Sequence, residues 1–132
     1  MQDRQLIILA DDLLDMREML NDLLTDEGYD VVCCSAGVLA FELARRLPPD
    51  LIILDLQMES RDAGVQALRQ MRSNPATVRV PALVYSTDEE RLRDHAADIA
   101  ACDSVALRGT FRIDTLLEQV RSLIGPHERA VG

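Results

Sequence analysis

The chain has 132 residues and a formal net charge of −9, which suits one domain with a sizeable core and a surface that repels nucleic acid and anionic lipid. Apolar residues make up 48% of it and charged residues 28%, the ordinary balance of a soluble globular protein. The opening "MQDRQ" leads into only five apolar residues before acid, too few for a signal peptide or a membrane span, so no membrane insertion is expected.

Short apolar runs alternate with segments of helical period. "LIILA" (6–10) predicts a first strand, and the following helix sets Leu13, Met16, Leu20 and Leu23 on one face, with Gly28 as its stop. "YDVVCCS" (29–35) is the second strand, and a helix bearing Leu39, Leu43 and Leu47 ends at the prolines 48–49. Cys33 and Cys34 are neighbours on that strand and point to opposite faces. With Cys102 they read as free thiols of a reducing cytoplasm.

"DLIILDL" (50–56) gives the third strand, and a shorter helix carries Val65, Leu68 and Met71 up to "SNP" (73–75). "VPALVYS" (80–86) is the fourth strand, and "DEERLRDHAADIAA" (88–101) one helix poor in large apolar residues. "SVALR" (104–108) is the fifth strand. The last helix shows Ile113, Leu116, Leu117, Val120 and Ile124, and residues 126–132 form a tail behind a domain of residues 1–125. Five strand–helix units with uniformly apolar strands predict an α/β fold, a doubly wound five-stranded parallel sheet with five helices. His95 and His127 have no partner at ligand spacing and read as solvated. All fourteen basic residues are Arg, for which codon bias is the plain cause.

Asp11, Asp12 and Asp55 all fall at carboxyl ends of predicted strands, where open parallel sheets bind ligands. In strand order 2-1-3-4-5 the three would share one crevice. Carboxylates about 5 Å apart repel by roughly 3 kcal/mol per pair at an effective dielectric of 20. A divalent cation removes that repulsion, and an all-oxygen ligand set favours Mg²⁺. A helix cap is the plainer reading of Asp12, but capping leaves the carboxylate closing the third strand without a reason.

On these residues the chain resembles a bacterial response-regulator receiver domain, of the stand-alone, chemotaxis-regulator kind with a flavodoxin-like fold. The acidic pair is matched by Asp11 and Asp12, the phosphoacceptor by Asp55, and the Ser or Thr ending the fourth strand by Ser86. The family's Met–Pro and Asp–Gly pairs read Met58–Glu59 and Asp62–Ala63 here, with Gly64 one place late. Its strand-five aromatic and Lys–Pro become Val105, Arg108 and Gly109. The resemblance implies phosphoryl transfer from a sensor histidine kinase or histidine phosphotransfer protein to Asp55. Mg²⁺ would be held by Asp12, Asp55, the Gln57 carbonyl and, through water, Asp11, with Ser86 and Arg108 on phosphoryl oxygens. Gln57 and Asp88 would flank the hydrolytic water.

The implied protein is cytoplasmic, catalyses only its own phosphorylation and slow dephosphorylation, and acts on a downstream protein target. Docking through the fourth helix, fifth strand and fifth helix, and a homodimer, are among the assemblies the resemblance allows. Val105, Arg108 and Gly109 favour an alternative: a degenerate receiver that binds partners without phosphorylation. A flavodoxin-like cofactor protein would need a Ser/Thr/Gly-rich cradle where "ADDLLDM" stands. A dehalogenase-type hydrolase would need a second acid at Gln57.

Overall fold

The computed structural model describes residues 4–108 and 112–124. Gly109, the 126–132 tail and His127 lie outside them. The chain runs β1 (Leu6–Ala10), α1 (Leu14–Asp26), β2 (Asp30–Cys34), α2 (Gly37–Arg46), β3 (Leu51–Asp55) and α3 (Ala63–Arg72). It continues through β4 (Ala82–Ser86), α4 (Glu89–Asp94), α5 (Ala96–Ala101), β5 (Val105–Arg108) and α6 (Ile113–Ile124). All strand pairs are parallel, in the order β2-β1-β3-β4-β5. The expected sheet and its order are both present.

Two apolar layers cover the sheet. On one face Ile8, Ala10, Ile52, Leu54, Ala82 and Val84 pack with α2 and α3. On the other, Ile7, Leu9, Ile53, Leu83 and Tyr85 pack with Leu20 and Leu24 of α1 and Leu116 and Val120 of α6. The central strands β1, β3 and β4 are buried on both faces, which is why their sequences are uniformly apolar. The edge strand β5 alternates between half-buried and exposed.

The helices depart from the expectation in three places. The segment 88–101 is two short helices separated at His95, whose backbone (φ −101°, ψ 3°) leaves helical geometry, so the described residues form six helices rather than five. In α2 the expected apolar face of Leu39, Leu43 and Leu47 is not the buried one. Gly37, Ala40 and Ala44 are buried instead, while Leu39 and Leu47 are exposed. Small residues let α2 approach α3 closely, and a leucine stripe there would hold the two apart. At the start of α1, Leu13 precedes the helix and is exposed, with Leu20 and Leu24 forming the buried contact. Gly28, with φ 98°, ends α1 as expected.

Two contacts fix the loop between β3 and α3. Glu59 reaches across to α2, its two carboxylate oxygens accepting the Gly37 N–H at 2.7 Å and the Val38 N–H at 2.9 Å. Burial works to raise the Glu59 pKa, but these backbone donors prevail and hold it below the usual range. Gly64 lies in the first turn of α3, its N–H donating to the Leu56 carbonyl at 2.9 Å. A Cβ there would meet the Asp55 carbonyl oxygen at 2.5 Å and the Leu56 Cα at 3.0 Å. The glycine that stands one place late against the family pattern is thus the one the packing requires. Gly64→Ala is expected to lower stability by about 1–3 kcal/mol through overpacking, measured as a lower urea midpoint at unchanged slope.

Candidate functional site

The registers of β1, β3 and β4 determine what meets at the carboxyl edge of the sheet. Ala10 pairs with Leu54, and Asp55 pairs with Tyr85. The next residue of β1's chain is Asp11, so Asp11, Asp55 and Tyr85 make a row across three strands. The two "LIIL" runs are one residue out of step, Ile7 lying opposite Leu51. That stagger absorbs the extra alanine in "LIILAD" and brings its first carboxylate level with the one that ends "LIILD".

Asp11, Asp12 and Asp55 each offer a carboxylate oxygen, and these lie within 4.8 Å of one another. Asp11 is buried at 1% exposure, Asp55 is half-buried and Asp12 is exposed. Asp11 is held on every side. Its Oδ1 accepts the Leu13 N–H at 2.8 Å, and its Oδ2 accepts the Tyr85 hydroxyl. Its backbone N–H donates to the Cys34 carbonyl at 3.1 Å, and its own carbonyl accepts Arg17 Nη1 at 2.8 Å. Asp12 is not the cap of α1: Leu13 holds that position, and no side chain bonds to the helix end.

Asp55 receives the Gln57 N–H on Oδ1 at 3.3 Å, which partly offsets what its other neighbours do. Burial first, then the charges of Asp11 and Asp12, push its pKa up to about 7. Burial and the same acids push the Tyr85 phenol well above its ordinary value, so it stays a proton donor. A row of carboxylates without a cation is under electrostatic stress. A hydrated Mg²⁺, with metal–oxygen bonds of about 2.1 Å, suits both the oxygen-only donor set and its span. Asp12 and Asp55 face the open side, while Asp11 sits behind them with both oxygens engaged.

Ser86 follows Tyr85 and is buried, its Oγ accepting the Asp88 N–H at 3.0 Å. Asp88 serves as the cap of α4, Oδ1 accepting the Arg91 N–H at 3.0 Å. Arg108 is not brought to the acids. Leu107 packs on the face that carries Tyr85, and strand alternation turns Arg108 to the other. Its side chain is 72% exposed, with Nε 3.6 Å from Glu89 Oε1. Sequence reading missed Tyr85 and Glu59. Tyr85 passes for an ordinary core residue of a buried strand, and only the register reveals its neighbours.

An open α/β sheet in the order 2-1-3-4-5 carries its carboxylate cluster at the topological switch point, where sheets of this class bind their ligands. The sequence profile described as "Response regulator receiver domain" matches residues 7–121, and the chain belongs to that family. It is 32% identical over 118 residues to "Response regulator MprA" of Mycobacterium leprae (strain TN), covering 89% of this chain and 50% of that protein. It is 24% identical over 127 residues to "Polar-differentiation response regulator DivK" of Brucella ovis, covering 92% and 97%. The chain thus spans about half the length of MprA and nearly all of DivK. The receiver domain of sensor histidine kinase PA1611 from Pseudomonas aeruginosa PAO1 superimposes with TM-score 0.80 at 23% identity, covering 93% of this chain and 99% of that one. That crystal structure has a magnesium ion coordinated in its active-site cleft. Among the described residues no helix is long and apolar enough to cross a membrane.

The raised Asp55 pKa has a consequence for stability. Between the ordinary carboxylate range and about 7 the folded, metal-free protein holds a proton on Asp55 that the unfolded chain has lost. This contribution to stability is full at the acid end and is lost as pH rises through 7. Asp55→Asn is expected to exceed the wild type in stability above pH 7 by about 1 kcal/mol, the Coulomb figure being reduced by solvent on the open side. The gap should narrow toward pH 5, as measured by urea denaturation in EDTA.

Proposed function

We propose that this domain accepts a phosphoryl group on Asp55 from the phosphohistidine of a sensor histidine kinase or histidine phosphotransfer protein. It then signals in the cytoplasm by binding a downstream protein. The observation that carries this reading is the alignment of Asp11 and Asp55 on neighbouring strand ends with Asp12 beside them. An oxygen of Asp55 attacks phosphorus, forming the P–O bond as the P–N bond to imidazole breaks, and the imidazole leaves with the bonding pair. Bound Mg²⁺, held by Asp12, Asp55 and the Gln57 carbonyl with Asp11 acting through water, would supply charge neutralisation along that path.

The chain's own residues do the positioning. The Ser86 hydroxyl accepts from Asp88 and so keeps its own proton free to donate to a phosphoryl oxygen. Gly64 packs α3 against the Asp55 carbonyl and fixes where the nucleophile sits. Leu13, Leu14 and Met19 are exposed and line one shallow groove over the first turns of α1, just after Asp12 in the chain, an apolar seat for the donor protein. Catalysis ends with self-phosphorylation and slow self-dephosphorylation.

One observation favours a second reading, a partner-binding module that works without phosphorylation: Arg108 turns from the acids toward Glu89 on α4. Intact mass after incubation with acetyl phosphate and Mg²⁺ separates the two. One phosphoryl adduct is expected on the wild type and none on Asp55→Asn. An unmodified wild type, also unresponsive to beryllofluoride, would leave the second reading standing. Arg108→Ala is expected to reach an adduct yield within about twofold of wild type, because the guanidinium lies against Glu89 and not against the acids.

A further inference from the structure

We propose that Tyr85 is a positioning residue of the acidic centre, its phenol orienting the Asp11 carboxylate from two strands away. The inference rests on the metal-binding part of the proposed function. Asp55 pairs with Tyr85 in the β3–β4 register, and Asp11 follows Ala10, which pairs with Leu54, so it continues β1 to the level of Asp55. To reach Asp11 Oδ2 the Tyr85 side chain crosses the width of β3, so it passes beside Asp55. Neighbouring strands lie about 4.8 Å apart, and a tyrosine is long enough to make that crossing with an aspartate reaching toward it. Few other side chains would be.

The surroundings leave this task to Tyr85. Arg17 is close, but its guanidinium donates to the Asp11 backbone carbonyl rather than to the carboxylate. Arg108 faces Glu89. The Leu13 N–H takes Asp11 Oδ1, which fixes one oxygen and leaves the carboxylate plane to be set by whatever holds the other. Tyr85 holds the other. Its ring is itself locked, 2% exposed within the apolar layer that includes Leu9, Ile53, Leu83 and Leu116. A locked ring with one hydroxyl on a carboxylate is the arrangement by which an outer residue sets the orientation of a group that faces a metal. The phenol keeps Asp11 turned along the row so that its charge faces the same point as Asp12 and Asp55.

Tyr85→Phe keeps the ring and removes the hydroxyl. Mg²⁺ titrated calorimetrically into the metal-free variant is expected to bind at least about tenfold more weakly than to wild type. The melting temperature should stay within a few degrees, since packing is retained. A merely structural tyrosine would change the melting temperature and leave the Mg²⁺ affinity alone. A Kd within about twofold of a wild type that does bind Mg²⁺ overturns this inference and leaves the phosphoacceptor reading untouched. A wild type that binds no Mg²⁺ overturns both.

A spectroscopic readout on the wild type complements this, the resonance lost in Tyr85→Phe assigning the two signals. The chain has two tyrosines, and Tyr29 precedes β2 at the opposite end of the sheet, where Leu6 pairs with Asp30. In protein labelled with 3-fluorotyrosine, Mg²⁺ is expected to shift the ¹⁹F resonance of Tyr85 and leave that of Tyr29 in place. Saturated binding with both resonances unmoved overturns the proposal.

Discussion

The one-residue stagger between β1 and β3 is the constraint on which the site depends. Side chains on a strand alternate between faces, so sliding β1 by a single residue would turn Asp11 into the opposite layer and expose Ile7 and Leu9 to the wrong neighbours. The core therefore sets the register, and the register sets the chemistry. Burial of Ile7, Ile8, Leu9, Leu51, Ile52, Ile53 and Leu54 at 0% exposure supplies the driving force, at roughly 1.5–3 kcal/mol for each large side chain. Against that total, the repulsion within one carboxylate cluster is small enough to be carried. The acids sit where they do because the strands beneath them cannot move.

Much of the architecture was legible in the sequence because it is written in contiguous runs. Uniformly apolar strands can lie only inside a two-sided layer, and their abrupt acidic ends mark one edge. The helices were less legible where packing used small residues. In α2 the period of Leu39, Leu43 and Leu47 is real, yet Ala40 and Ala44 face the core with Ala67 of α3, and Gly37 lies against Ala63 and Ala67. The division at His95 is equally quiet in the sequence, since neither glycine nor proline marks it. A second helix begins at once, on a run with four alanines in six residues.

The site divides along the same line. Asp11, Asp12 and Asp55 could be found because strand ends are local features. Tyr85, Arg108 and Glu59 could not, because each depends on what stands on another element. For Tyr85 the partner lies 74 positions away, and only the sheet brings them together. Aligning Arg108 with a family cation identifies a residue type but says nothing of the face it occupies. Its neighbours on other elements decide that, and the guanidinium lies against Glu89 of α4.

The link from Glu59 to the start of α2 has a mechanical meaning. Residues 57 and 58 belong to the same short loop, so a displacement that carries Glu59 with it strips the donors of α2 of their acceptor. Losing a helix cap costs about 1 kcal/mol, a restoring force acting on the loop from outside the acidic row. A proline would stiffen such a loop by limiting one backbone torsion. A carboxylate stiffens it by fastening it to a neighbour, and the fastening can be undone and remade.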